Sequence, residues 1–194
     1  MSRGLGDVYK RQSKGFVPTK KWKKERFGTS WLVGDTLNVG IGQGFSLATP
    51  LQLAVMTARL ASGKEVIPNL IKNPSKYPND LKTLSIGKNT LAAIRKGMFN
   101  VLNKKEGTAF NFRTTDENFL IAGKTGTSHK SSSKGGYDQS KYMASFAGIA
   151  PLKTKRLTIF VNIDEPGLNN YSGGSVAAPL FAAISKDVLN YLNE

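Results

Sequence analysis

The last third of the chain leaves little freedom in the choice of fold. Residues 119–128 and 142–150 read as strands, and Leu157, Ile159, Val161 and Ile163 alternate with Thr158, Phe160 and Asn162 as a third. Residues 175–192 then read as a helix, with Leu180, Ile184, Val188 and Tyr191 in register. Three strands in short succession, joined by loops, imply an antiparallel meander with the terminal helix packed on one face. The expected fold class is α+β, not an alternating parallel sheet.

Upstream, Thr49 and Pro50 open a helix that Gly63 closes: Thr can cap, and Pro is tolerated at the first helical position. Leu53, Met56 and Leu60 recur at helical spacing, with Ala54 and Ala58 small enough for close packing, so this helix is expected to be buried. A second helix follows from Thr90, with Leu91, Ile94, Met98, Val101 and Leu102 on one face. Gly107, Thr108 and Ala109 then begin a short turn or helix. Residues 64–87, punctuated by Pro68, Pro74 and Pro78, read as a loop with strand fragments.

Residues 13–48 are rich in Gly and aromatics, and Gly40, Gly42 and Gly44 point to tight turns instead of a regular element. No Gly-x-Gly-x-x-Gly run after a strand supports a phosphate loop there. Residues 128–141 read as a polar loop that leaves His129 solvated. Residues 1–12 carry no usable pattern. They look like translated adaptor sequence and are set aside as a non-native leader.

The net charge is +15, and its distribution matters more than its size. Residues 1–30 hold nine basic side chains against Asp7 and Glu25, so nearly half of the excess lies in the first sixth of the chain. A basic tail and a solvated surface account for this without a nucleic-acid partner. With no cysteine and a single histidine, the chain has no disulfide or thiol chemistry and offers no zinc or iron site. No cofactor or metal is expected. No apolar run approaches the ~18 residues of a membrane span.

The chemistry concentrates at Lys124, Thr125 and Gly126, where an apolar strand meets a cation, a hydroxyl and a missing side chain. Alternation along a strand puts Lys124 and Gly126 on one face and Thr125 on the other. The ammonium can neutralise a carboxylate as a point charge. Thr125 can add a hydroxyl hydrogen bond, and Gly126 lets a second backbone come close. An extended peptide can then dock as an added strand. The plainer reading is a strand that ends at a glycine turn with an exposed lysine.

Context decides between them. Trp31-Leu-Val-Gly-Asp35, Ile41-Gly-Gln-Gly44, Ala48-Thr-Pro-Leu-Gln-Leu-Ala54, Gly107-Thr-Ala109 and Ala122-Gly-Lys-Thr-Gly-Thr127 occur in that order. From about residue 15 to the end this resembles the transpeptidase domain of class B penicillin-binding proteins, the serine D,D-transpeptidases that cross-link peptidoglycan. The first half looks most like the elongation (rod-shape) type, while Tyr171-Ser-Gly-Gly-Ser-Val-Ala-Ala-Pro-Leu-Phe181 looks closer to the division type. The resemblance implies a partial transpeptidase (serine β-lactamase-like) fold, with residues 13–194 as its C-terminal portion.

By the same resemblance, Lys124, Thr125, Gly126 and Thr127 bind substrate. Lys124 and Thr125 would hold the C-terminal carboxylate of the donor stem peptide or of a β-lactam. The backbone N–H of Thr127 would supply one half of the oxyanion hole. The family also needs a nucleophilic Ser-x-x-Lys and a Ser-x-Asn. There is no Ser-x-Asn. Ser131-Ser-Ser-Lys134 has the first spacing but follows the Lys-Thr-Gly strand, lies in a polar loop and has no apolar helix behind it. The nucleophile is therefore expected upstream, outside this chain, which alone should be inactive.

The expected partners are peptidoglycan stem peptides and β-lactams, with a glycosyltransferase working beside the parent protein. The parent would be anchored in the bacterial inner membrane with this domain outside the cytoplasm, and the anchor lies outside this chain. Two alternatives stay open: a β-lactamase-like hydrolase or β-lactam sensor of the same fold, and a basic nucleic-acid-binding module. Asp164 and Glu165, beside Pro166, read as a turn and not as a catalytic carboxylate pair.

Overall fold

A computed structural model describes residues 14–68, 80–131, 136–154, 157–167 and 169–193. The leader set aside above, Pro74, Pro78 and Lys134 lie outside the described residues. The chain divides into two compact units, the first ending at Gln52 and the second beginning at Leu53.

The first unit contains two short helices that the glycine content had hidden. α1 (Lys20–Phe27) is capped by Thr19, whose Oγ1 accepts the Trp22 N–H at 3.1 Å, and ends at Gly28 with φ +68°. α2 (Val33–Gly40) starts where the Asp35 carboxylate accepts the Leu32 N–H at 2.7 Å. Lys23, buried on α1, pairs with that same carboxylate. The Lys23 ammonium and then the Leu32 N–H hold Asp35 below the usual carboxylate range. Trp22 gathers Phe16, Phe27 and Phe45 at centroid distances of 4.6, 5.5 and 5.1 Å. The turns expected at Gly42 and Gly44 are present, whereas Gly40 belongs to a regular element. Of these three glycines, the last two take the left-handed conformation that a turn demands, and Gly40 completes a helix.

α3 (Pro50–Ser62) begins as the sequence predicts. Thr49 Oγ1 accepts the Gln52 N–H at 3.2 Å, and Gln52 Oε1 accepts the Thr49 N–H at 2.8 Å, a reciprocal cap. The helix is not buried, however. Only Thr57 and Ala61 are closed off, and Met56 is 46% exposed. Its buried face is narrower than the apolar spacing implies: Leu53 and Leu60 are half-buried and Met56 is exposed. α4 (Lys88–Asn103) behaves as expected and buries Leu91, Met98 and Leu102.

In the second unit, β1 (Ala122–Ser131), β2 (Tyr137–Ala150) and β3 (Leu157–Asp164) form a three-stranded antiparallel sheet in the order β1-β2-β3. The meander is thus present, but its first two strands run further toward each other than the polar sequence suggested. β1 reaches Ser131 and β2 starts at Tyr137, with a register break after His129. Each strand satisfies the other's backbone in a ribbon of this kind, so neither needs an apolar face there. At the other end, Phe119 belongs to a 3₁₀ turn (Glu117–Phe119) instead of β1.

α5 (Ala178–Asn193) follows a single π turn (Gly173–Ala177) and packs on β2 and β3. Its packed face differs from the predicted one. Ala178, Phe181, Ser185 and Leu189 are buried, whereas Leu180 and Ile184 are 45% and 41% exposed. The Phe181 ring meets Phe146 at 4.9 Å and lies across Gly148, where a Cβ would collide with it. Phe146 covers Gly123 in the same way. Two bare backbone positions thus admit two aromatic rings into the core beside β1.

Candidate functional site

β1 is an edge strand among the described residues, hydrogen-bonded to β2 alone. Its register separates the motif as expected. Lys124 lies opposite Ala147 and Gly126 opposite Ser145, while Thr125 lies opposite Phe146 and Thr127 opposite Ala144. The first pair shares the face of Ala122 and Ile149, which pack with Met98 of α4. The second pair shares the face of Phe146, which packs with Phe181 of α5. Lys124 and Thr127 are exposed, and Thr125 and Gly126 are half-buried.

Each motif residue has a distinct local support. Lys124 Nζ donates to the Thr125 carbonyl at 2.7 Å, which leaves two of its three donors for a ligand. Thr125 Oγ1 lies 2.9 Å from Thr108 Oγ1. Thr127 Oγ1 accepts the Gly173 N–H at 3.0 Å. A Cβ at Gly126 would displace the Ser145 hydroxyl. Gly173 presses against the same place, where a Cβ would strike the carbonyls of Gly126 and Ser145.

An open groove runs beside Lys124, lined by Gly97 and Asn100 of α4, by Lys104 just past its end and by Thr108. Among the described residues nothing covers this side of Lys124. A larger cleft between Phe112, Asn118, Lys186 and Leu189 contains none of the predicted site residues.

The sequence reading missed Thr108, Gly173 and Gly174, which stand behind the strand. The Gly107, Thr108, Ala109 match was the available signal, but its spatial partner cannot be read from spacing. His129 is corrected as well: it is a strand residue facing Tyr142 at a centroid distance of 4.6 Å, and its Nδ1 is buried. Tyr142 in turn stacks on Tyr171 at 4.1 Å. Asp164 ends β3 and Glu165 turns the chain with φ +50°, as expected of a turn. Both carboxylates accept from Lys130, at 3.0 and 2.8 Å.

Of the two formal Ser-x-x-Lys spacings, neither has a described residue lining the groove. Ser131 closes β1, and the rest of that motif lies outside the described residues. A second spacing, Ser85 to Lys88, escaped the sequence reading. Both residues are exposed at the start of α4. The groove is lined by the far end of that helix, about 18 Å along its axis at 1.5 Å per residue.

Lys124 thus stands at a groove beside the Lys-Thr-Gly strand, on a sheet edge that is open among the described residues. The family model for the penicillin-binding protein transpeptidase domain matches residues 4–186. The chain belongs to the penicillin-binding protein transpeptidase family. Peptidoglycan D,D-transpeptidase MrdA of Haemophilus influenzae is 34% identical over 197 aligned positions, covering 90% of this chain and 29% of that enzyme. The elongation-type likeness is borne out in this relative.

Among solved structures, the penicillin-binding protein PBP2 of Helicobacter pylori, in a complex with MreC, superimposes with a TM-score of 0.75 at 34% identity. That match covers 91% of this chain and 31% of the other. Penicillin-binding protein 3 of Mycobacterium tuberculosis, complexed with aztreonam, superimposes with a TM-score of 0.73 at 27% identity, covering 94% and 42%. The penicillin-binding transpeptidase fold is therefore that of this chain, which spans about three-tenths of the MrdA relative's length. Among the described residues no helix is long and apolar enough to cross a membrane.

Proposed function

We propose that this chain forms the substrate-gripping side of a peptidoglycan D,D-transpeptidase whose attacking serine lies in polypeptide outside it. The observation that carries this reading is the exposed Lys124 and Thr127 on an open strand edge, beside a groove, in a chain of this family. Lys124 and Thr125 bind the carboxylate of a stem peptide ending in D-Ala-D-Ala, and Gly126 lets the peptide backbone approach. The Thr127 N–H donates to the oxyanion that forms when the carbonyl is attacked.

The parent enzyme works through an acyl-enzyme. Its serine oxygen bonds to the penultimate D-Ala carbonyl carbon as the peptide bond to the last D-Ala breaks. That D-Ala leaves as the protonated amine. An amine of a neighbouring stem peptide then attacks the ester, forms the cross-link and returns the proton to the serine. A β-lactam enters the same site by opening its ring on the serine. The parent is proposed to sit in the bacterial inner membrane with this domain outside the cytoplasm, and to work beside a glycosyltransferase.

Labelling with a fluorescent penicillin tests the division of labour. The 194-residue chain is expected to take no covalent label, while the longer gene product that contains it is labelled. A covalent adduct on the short chain would show that the nucleophile has been misplaced.

A further inference from the structure

A carboxylate only accepts hydrogen bonds, so a threonine that grips one must point its single hydroxyl proton at it. Two threonines of β1, Thr125 and Thr127, lie two residues apart and therefore share a face. At Thr127 the polarity is fixed. The Gly173 N–H can only donate, so Thr127 Oγ1 accepts it at 3.0 Å and keeps its proton free. Thr125 has a hydroxyl partner instead, Thr108 Oγ1 at 2.9 Å, and one proton joins the two oxygens. If Thr125 supplied that proton it could not donate to a ligand. If Thr108 supplies it, Thr125 keeps its own proton for a ligand, as Thr127 does.

The turn that carries Thr108 is fixed from three sides. The Gly107 N–H donates to the Lys104 carbonyl at 2.8 Å and the Ala109 N–H to the Val101 carbonyl at 3.0 Å, tying the turn to the end of α4. Ala109 is buried in the main core. Gly174 closes the remaining side, where a Cβ would collide with the Thr108 carbonyl oxygen. Thr108 also lines the groove that holds Lys124. The backbone that carries the Thr108 hydroxyl is thus held in place beside β1.

We infer that Thr108 is a positioning residue for substrate: it donates to Thr125 Oγ1 and so orients the Thr125 hydroxyl as a donor to the ligand carboxylate. This rests on the reading of β1 as the carboxylate-binding strand, and it adds a residue that acts only through Thr125.

The test times acylation of the longer gene product by benzylpenicillin, which carries the carboxylate, and by its methyl ester, which does not. Thr108→Val keeps the shape and removes the hydroxyl. It is expected to slow acylation by penicillin about ten-fold, the upper end of what a lost neutral hydrogen bond costs, and acylation by the ester less than about two-fold. Thr108→Ser is expected to restore the penicillin rate. The ester rate reports whether each variant is folded. An equal slowing of both compounds by Thr108→Val, or no slowing of either, overturns the inference. Thr125→Ala separates the two levels of the argument. If it removes the penicillin-over-ester difference while Thr108→Val does not, only the role of Thr108 falls. If Thr125→Ala itself leaves the difference intact, the carboxylate reading of the strand falls, and the role of Thr108 with it.

Discussion

Gly173 and Ser185 show at single-residue scale how function and stability separate in this chain. A methyl group at Gly173 would strike two backbone carbonyls, on β1 and β2, and neither can move without breaking the sheet register. Gly173→Ala is expected to cost about 1–3 kcal/mol by overpacking, read as a lower urea midpoint. Because the same residue donates to Thr127, it should also weaken penicillin labelling of the longer gene product. Ser185 is the opposite case. It is fully buried on α5, and its hydroxyl has no partner among the described residues. Ser185→Ala removes an unpaired polar atom and is expected to raise stability by about 1 kcal/mol, seen as a higher melting temperature. The sequence points to Lys124, Thr125, Gly126 and Thr127, the proposed binding residues, because their spacing along one strand is local. It could not disclose Gly173 or Thr108, whose roles arise only when a turn 46 residues from Thr127, and another 17 residues from Thr125, close on the strand.

Elements whose two faces differ clearly were legible, and elements with two similar faces were not. α4 offers one apolar stripe, and the structure buries it. α5 offers two: Leu180, Ile184, Val188 and Tyr191 on one side, Ala178, Phe181 and Leu189 on the other. Periodicity alone cannot choose between them. The sheet takes the second stripe because Phe181 fits over the bare Gly148. The β1–β2 ribbon was missed for a related reason, since its polar residues gave no alternating signal. Its outer end is fastened by charge instead. Lys130 holds Glu165 below the usual carboxylate range, and Glu165 and then Asp164 raise the Lys130 ammonium above its ordinary value. A lowered carboxylate stabilises the fold above its ordinary pKa of about 4 and loses that contribution as pH falls through the lowered value. A raised lysine contributes below its ordinary value of about 10 and loses it as pH climbs through the raised value. The fastening should thus be flat across neutral pH and weaken at both extremes. An NMR titration of the Glu165 carboxyl carbon checks this: Lys130→Met is expected to move its midpoint upward, toward free glutamate. An unmoved midpoint would assign the shift to some other cause.

At the scale of the whole molecule, exposed apolar surface competes with a large positive charge. In the first unit Val33, Leu37 and Ile41 follow one another at helical spacing and are 78%, 67% and 70% exposed. In the second unit Leu180, Ile184 and Tyr191 line the outer stripe of α5 at 45%, 41% and 76%. Taking a large aliphatic side chain fully out of water contributes about 1.5–3 kcal/mol, so each stripe is a strong site for self-association. The net charge of +15 opposes contact between copies. Salt decides the balance, because it screens repulsion between exposed charges within about 8 Å at 0.15 M and leaves apolar attraction intact. The purified 194-residue chain is therefore expected to stay small at low ionic strength and to form oligomers as sodium chloride rises, followed by sedimentation velocity. A double substitution, Leu180→Glu with Ile184→Lys, should blunt that response without touching the buried face of α5. A basic nucleic-acid binder would respond to salt by releasing its ligand, not by gathering copies of itself. A monomer that unfolds reversibly in one step at both low and high salt would mean that these stripes are too small or too scattered to drive association.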